Sequence, residues 1–319
     1  MGYVGEIGQH LIVPVQGDEY TAVGGGSAAT EPFYGLVGHG GTVHVTESEG
    51  IENYNALQAV LKQQVSNGLQ YTVNYTWSKS MTNNPGFYGV PGVSGASEFW
   101  QNPNNPRADY GPSGYDTRQS VNGTIVYALP FGRGAQIASN VNRAVDEAIG
   151  GWKISGDFIY YSGFPETVTS PNNANLNAPT SRANRYGKMK IVGRTNKQWW
   201  GTDPSATPCF GPLGTSGNTA CAYGYEVAAP VGTPAPAGLG TAAPNTERAP
   251  DYRISDLSVF KTFPTFKGQK FEFRVDAFNA FNIASYAAPS LSTSSTLWGI
   301  VTGTLSPARQ FQLALHYKF

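Results

Sequence analysis

The stretch Phe311-Gln-Leu-Ala-Leu-His-Tyr-Lys-Phe319 decides the fold class of this chain. Apolar or aromatic side chains occupy every odd position, and the even positions are mostly polar. Alternate side chains of a β-strand point to opposite faces, so this stretch predicts a strand with one apolar and one polar face. The alternation recurs upstream with many aromatic residues and turn-rich spacers. The sequence therefore predicts an all-β, antiparallel transmembrane β-barrel section with long extracellular loops, and a soluble β-sandwich is the alternative.

The terminal strand also predicts how the chain reaches its location. We interpret Phe319 as the terminal aromatic residue by which outer-membrane barrels are presented to the barrel-assembly machinery. The predicted assembly signal comprises the apolar positions Phe311, Leu313, Leu315, Tyr317 and Phe319. The expected partners are this machinery and outer-membrane lipid, and the expected location is the cell outer membrane of a Gram-negative-type bacterium.

The composition narrows the classes of protein to consider. Lys and Arg total 21 and Asp and Glu total 21, without a basic cluster, so we expect no nucleic-acid partner. Charged residues make up 13% of the chain, about half the usual share of soluble domains. The mean hydropathy of -0.29 and the lack of a long apolar run exclude a helical membrane protein. Hydropathy does not detect a barrel, because only alternate residues face lipid.

The alternation and the turn signals predict nine strands and one short helix. Asn67-Gly68 is a strong hairpin signal, and the helix covers 138–149, ending before Gly150-Gly151. The predicted strands cover approximately 2–13, 42–48, 54–65, 69–78, 117–129, 152–162, 252–262, 270–281 and 311–319.

Counting back from a periplasmic C-terminus assigns each connection to one side. The outer connections are 49–53, 81–116, 163–250 and 282–305, and the inner ones are 67–68, 129–151 and 263–269. Long outer loops and tight inner turns are typical of barrels. Residues 14–41 are the exception, because this count makes them a long inner connection without a physical explanation.

Two strands carry polar residues on one face only. Apolar side chains of the strand beginning at Leu69 alternate with polar ones, and the strand at 270–281 does the same with charged residues. A wide barrel would place these polar residues in its lumen, and a sandwich would solvate them outside. The predicted ligand- or lumen-facing residues are Gln70, Thr72, Asn74, Thr76, Glu272, Arg274 and Asp276.

Cys209 and Cys221 lie in one Gly/Pro/Ser-rich stretch. In an oxidising compartment they predict a loop disulfide that contributes about 3 kcal/mol to local order. Neither these cysteines nor the four scattered histidines, at 10, 39, 44 and 316, have the spacing of a metal site. No nucleophile motif is present either. We therefore expect no metal, no cofactor, no catalytic residue and no enzymatic activity.

Two groups of loop residues have alternative interpretations. Asp109, Asp116 and Arg118 flank the fifth predicted strand and either order the loop against the barrel wall or contact a ligand. Four aromatic residues of the long loop, Trp199, Trp200, Tyr223 and Tyr225, either stack on a planar ligand or pack the loop onto itself, and packing is the simpler interpretation.

Several short motifs, in order along the chain, resemble one family. They are Tyr54-Asn-Ala-Leu-Gln58, Gly68-Leu-Gln70, Tyr75-Thr-Trp-Ser-Lys79, Tyr127-Ala-Leu-Pro-Phe-Gly132, Gly150-Gly-Trp152 and Phe273-Arg-Val-Asp-Ala-Phe-Asn279. The chain resembles the Oar-like TonB-dependent receptors, which carry an N-terminal carboxypeptidase-regulatory-like domain, from Tyr3 to Phe319. The resemblance implies the C-terminal part of a barrel of about 22 strands, with the plug and the periplasmic energy-coupling segment further N-terminal.

The start of the sequence resembles the middle of a strand and lacks a signal peptide, so we expect a fragment of a longer protein. Nine strands would leave two unpaired edges in hydrocarbon, at a cost of several kcal/mol per unsatisfied group, about the penalty of burying a polar group. The expected partners are thus the missing N-terminal barrel and plug of the same chain, and through them the TonB energy-coupling system. The predicted function is ligand capture and uptake. The alternative is a surface-anchored structural or adhesive protein that presents loops 81–116 and 163–250.

Overall fold

The computed structural model describes the chain except residues 26, 40–42, 67, 85–98, 173–175, 177–180, 210–217, 227–229, 235–237 and 266–267, and the side chains of 65, 66 and 318. Its main feature is one antiparallel sheet of eight long strands. They are β1 (Gly2–Gln16), β2 (His44–Ser66), β3 (Leu69–Thr82), β5 (Gln119–Ala128), β6 (Trp152–Tyr161), β11 (Tyr252–Pro264), β12 (Lys270–Phe278) and β13 (Gln310–Lys318). A short strand, β4 (Gly111–Pro112), pairs with the end of β3.

The remaining elements are short. They are the strands β7 (Pro165–Glu166), β8 (Asn184–Arg185), β9 (Tyr223–Gly224) and β10 (Glu247–Arg248), the helices α1 (Tyr34–Val37) and α2 (Arg143–Ile149), and the 3₁₀ helices Pro106–Asp109 and Pro204–Ala206. Within the described ranges, no helix has the length and apolar character needed to cross a membrane.

Each long strand pairs with the next one along the chain, in the order β1-β2-β3-β5-β6-β11-β12-β13. The predicted all-β antiparallel fold is confirmed. The strands β1 and β13 are the edges of the sheet, and the described residues do not pair them with each other. The sheet is therefore an open barrel section.

The prediction of two separate strands at 42–48 and 54–65 is wrong. Both belong to β2, and the expected turn at 49–53 lies within it. Gly50 pairs with Leu11 of β1, and a Cβ at Gly50 would lie only 2.8 Å from the Leu11 carbonyl oxygen. Glycine at this position thus permits a close approach of two strands, and it does not mark a turn.

The β1–β2 pairing contains two register shifts, between Gly8 and Leu11 and between Leu11 and Val13. His10 lies in the first of them with a φ of 55°, a left-handed conformation that the bulge requires. An extra residue in one strand changes which face the following side chains occupy. Val13 and Val15 follow these shifts and pack as buried residues against Trp100.

Merging the two predicted strands moves residues 17–43 to the other end of the sheet. The connections 17–43, 83–118, 162–251 and 279–309 now share one end, and the short connections around 67–68, 129–151 and 265–269 share the opposite end. Contacts support this placement, because Tyr20 N donates to Leu176 O at 2.8 Å and Val23 N donates to Thr233 O at 2.9 Å. The expectation of a long inner connection was therefore wrong.

The connections at the other end are tight. Ser66 pairs with Leu69 around Gly68, which has a φ of 79°; Asn67, the other predicted turn residue, lies outside the described residues. The predicted helix ends where expected but begins at 143 and not at 138. Asn142 is the reason, because its side chain accepts a hydrogen bond from Val145 N at 2.9 Å and thereby caps the helix.

On the face of β11 that carries Leu257, Val259 and Phe263, the charged residue among these apolar positions is Lys261. Its contact with α2 explains how a charge is tolerated there. Its ammonium donates to the carbonyl of Glu147 and lies 4.9 Å from the ring centre of Phe263. The carbonyl end of a helix carries partial negative charge. The helix α2 thus neutralises a charge that would otherwise interrupt the apolar face.

Candidate ligand-binding site

The predicted lumen-facing residues of β3 lie on one face of the sheet. Residues directly opposite each other in an antiparallel ladder share a face. Thr72 pairs with Thr124 and Asn74 pairs with Asn122, whose Oδ1 accepts a hydrogen bond from Asn74 Nδ2 at 2.9 Å. Gln70 and Thr76 follow the same parity.

The predicted residues of β12 lie on the same face. Asp276 pairs with Ser258 of β11, and the ladder continues through β6 and β5 to the polar residues of β3. Asp276 accepts hydrogen bonds from the Ser258 hydroxyl and from Arg274 Nε, the latter at 2.6 Å. The register therefore joins all seven predicted residues into one polar face, with Glu272 opposite His316 at its edge.

The opposite face is apolar and exposed. Leu313 of β13 is 71% exposed and Trp77 of β3 is 57% exposed. The other residues of the predicted assembly signal, Phe311, Leu315, Tyr317 and Phe319, are also exposed. A soluble protein rarely leaves such a continuous apolar surface uncovered.

The four connections at one end of the sheet pack together, and we call their described residues (17–43, 99–118, 162–251 and 279–309) the external cap. Its main core joins the third and fourth connections; for example, Trp298 Nε1 donates to Ala206 O at 2.7 Å. This core consists of Val168, Ala183, Met189, Trp199, Trp200, Ala206, Ala222, Tyr223, Ala242, Leu291 and Trp298. The loop aromatics Trp199, Trp200 and Tyr223 are thus core residues, and the packing interpretation is confirmed for them.

A buried ion pair joins the second and third connections. Arg182 and Asp109 are 3% and 1% exposed and form a direct ion pair. Arg182 also donates from Nε to Ala242 O at 2.7 Å and from a terminal nitrogen to Ala108 O at 3.2 Å. Burial raises the pKa of Asp109, and the adjacent Arg182 opposes this effect. The pair therefore holds the second and third connections of the cap together.

Asp116 anchors the cap to the sheet. Its carboxylate is buried, forms an ion pair with Arg248, and accepts a hydrogen bond from Ser80 N of β3 at 2.7 Å. Arg118 Nε lies 3.2 Å from the same carboxylate. Asp109, Asp116 and Arg118 therefore order the loop, as one of the two sequence interpretations predicted.

Cys209 and Cys221 form a disulfide within the cap, with their Cα atoms 5.7 Å apart. Cys209 also makes a β-bridge to Gly224 of β9. The bond therefore links two residues of the third connection that are 12 positions apart.

A pair of glutamates faces each other across the short β7–β10 ladder. Glu166 is directly opposite Glu247. Burial raises the pKa of Glu166 to about 7, and burial also raises the pKa of Glu247. The Tyr223 hydroxyl donates to Glu247 Oε1 at 2.5 Å and partly offsets the effect of burial there.

A cavity of about 530 Å³ lies where the cap meets the ends of β1 and β2. Residues of β1, β2 and the first three connections line it, among them Gln16, Glu19, Glu47, Glu49 and Trp100. Its volume is in the range of small-molecule sites, about 300–1,000 Å³. Sequence reasoning missed this cavity, because it assigned residues 14–41 to the other side of the barrel.

Within the described part of the chain, no three His, Cys, Asp or Glu side chains are placed to hold a metal ion. The chemistry that the arrangement offers is binding: a polar face along the sheet and a cavity beneath the cap.

A comparison with protein-family models agrees with this geometry. A model described as an outer membrane beta barrel domain matches residues 1–312. A search of curated proteins finds no match. The family match indicates the outer membrane of a Gram-negative bacterium, where the exposed apolar face contacts lipid. The chain therefore belongs to the family of outer-membrane β-barrel domains.

Proposed function

We propose that the chain is the C-terminal barrel section of a TonB-dependent receptor, which captures a ligand with its external cap and passes it along the polar face. The observation that carries the proposal is the fixed cap with a cavity of ligand size at its junction with the sheet. The residues of the polar face would line the path inward; they are Gln70, Thr72, Asn74, Thr76, Glu272, Arg274 and Asp276. By resemblance, the energy comes from the inner membrane through N-terminal parts of the protein. The proposal includes no catalytic step.

The partners follow from the same proposal. The lipid contacts the apolar face, and the barrel-assembly machinery recognises the terminal strand that ends in Phe319. Additional strands of the same protein would pair with the edges β1 and β13 and complete the barrel, and a plug would lie in its lumen.

The experiment compares uptake in a strain that lacks the complete gene with uptake in the complemented strain. A panel of labelled vitamins, ferric siderophores, oligosaccharides and peptides is supplied with and without a protonophore. We expect complementation to restore uptake of one class, and the protonophore to abolish it. Restored surface attachment with unchanged uptake would contradict transport and favour the adhesive alternative.

A further inference from the structure

We propose that the cavity between the external cap and the ends of β1 and β2 binds an organic cation, a small molecule with a protonated amine or a guanidinium group. This inference rests on the proposed function and deepens it, because it names the chemical class of ligand that the cap captures. The cavity is formed by three connections and two strand ends, so a ligand there would contact the cap and the sheet together.

The charge of the cavity has one sign. Its acidic lining residues are Glu19, Glu47 and Glu49, and no Lys, Arg or His belongs to the described residues that line it. A concave site lined by one sign of charge concentrates ligands of the opposite sign. The lining therefore favours cations and disfavours anions.

Buried acceptors without donors provide independent support. Gln16 lines the cavity and is only 5% exposed, and its buried Oε1 accepts no hydrogen bond from the described residues. Glu19 Oε1 is likewise buried without a hydrogen-bond partner among them. Buried polar atoms in proteins are normally paired, so two such acceptors beside one cavity indicate a missing donor. Ammonium and guanidinium groups have donors only.

The size and walls of the cavity favour an organic cation over a bare ion. Its volume of about 530 Å³ greatly exceeds the volume that one water molecule occupies in the liquid, about 30 Å³. Tyr20 and Trp100, both buried, supply aromatic rings to the wall. Aromatic rings attract cations as well as apolar groups. Glu19 approaches from the first connection, and Glu47 and Glu49 approach from β2.

The protonation of Glu19 agrees with this assignment. Burial, together with the charge of Asp109, raises the pKa of Glu19 to about 9, so the carboxyl is neutral at pH 7 when no cation is present. Glu47 and Glu49 face the same cavity, and Arg182 pairs with Asp109. A bound cation would lower the pKa of Glu19. Binding at pH 7 is therefore expected to release a proton.

The test titrates the native protein, extracted from outer membranes in detergent, with three probes of similar size. Tryptamine is a cation, N-acetyltryptamine is neutral and indole-3-acetate is an anion. By calorimetry we expect tryptamine to bind about tenfold or more tighter than N-acetyltryptamine, and indole-3-acetate not to bind. The variant Glu47→Gln/Glu49→Gln should weaken tryptamine binding about tenfold. The control Glu6→Gln, which removes an exposed carboxylate of β1 that does not line the cavity, should not change it.

Equal affinity for tryptamine and N-acetyltryptamine would overturn the inference, as would an equal loss in the Glu6→Gln control. Binding of Ca²⁺ without binding of any amine would overturn it too. If the double variant does not fold, Glu49→Gln alone is tested, because Glu49 is exposed. Energy-dependent uptake without tryptamine binding would refute the cation site and leave the proposed transport function standing. Tryptamine binding without energy-dependent uptake would support the cation site and contradict the proposed transport function.

Discussion

The buried pair of Arg182 and Asp109 predicts that one substitution opens the external cap and leaves the sheet intact. The change is Arg182→Met, which keeps most of the aliphatic stem and removes the charge. It leaves a buried carboxylate without its cation, and the carbonyls of Ala108 and Ala242 without their donors. Breaking a buried ion pair by removing one partner costs about 3–5 kcal/mol.

The assay is amide hydrogen exchange with mass spectrometry on the detergent-solubilised protein. A loss of this size should accelerate exchange at 101–109, 182–185 and 240–242 by about 100-fold or more. The strands should exchange at the wild-type rate, because their hydrogen bonds do not depend on this pair.

The control is Arg143→Met. Arg143 lies 3.9 Å from Glu147 and its side chain is 88% exposed, so its loss should have no measurable effect. Adding Asp109→Asn to Arg182→Met should restore part of the protection, because the unpaired charge causes most of the loss. Wild-type exchange in the Arg182→Met cap would show that the ion pair does not stabilise the cap, and equal acceleration in cap and strands would show that its effect is not confined to the cap.

Three further predictions concern the cap. Gly240→Ala places a Cβ 1.7 Å from the Arg182 carbonyl oxygen, so it should destabilise the cap by about 1–3 kcal/mol. The control Gly187→Ala, whose Cβ meets nothing within 4 Å, should leave the stability of the cap unchanged. Equal protease resistance of the two variants would contradict the close packing at Gly240. Reducing the Cys209–Cys221 bond should lower the stability of this part of the cap by about 3 kcal/mol and make it sensitive to protease, whereas the strands should be unaffected. Unchanged cleavage would show that packing alone orders this part of the cap. Because the pKa of Glu166 is raised from 4.5 to about 7, its stabilising contribution is present below pH 4.5 and is lost as the pH rises through 7. Protection factors in the cap, which correct the exchange rates for base-catalysed intrinsic exchange, should be higher at pH 5 than at pH 8, and Glu166→Gln should reduce this difference. A wild-type dependence of the protection factors on pH in that variant would assign the effect to other groups.

The sheet was largely predictable from the sequence because its signal is local. Alternation with period two identified the strands that contain Trp77, Arg274 and Leu313 and assigned their faces. The one serious error came from Gly50, whose turn signal was outweighed by pairing with β1. That single error changed the strand count and placed the predicted connection 14–41 at the wrong end of the sheet.

The cap and its cavity were not predictable, because distant residues form them without a period. Arg182 and Asp109 are 73 positions apart, and Gln101 and Gly240, which are hydrogen-bonded, are 139 apart. The sequence did suggest that Asp109 and Trp200 order the loops. It gave no signal that Gln16 and Glu47 would share a cavity with Trp100.

The topology places residues 17–43 in the external cap and the connection at 129–151 on the opposite side of the membrane. The most direct measurement labels single cysteines in the complete protein on intact cells with a membrane-impermeant maleimide. Ala28→Cys and Gln136→Cys are suitable because both residues are exposed. We expect Ala28→Cys to be labelled on intact cells and Gln136→Cys only after the outer membrane is permeabilised. Labelling of Gln136→Cys on intact cells, with Ala28→Cys protected, would contradict this topology.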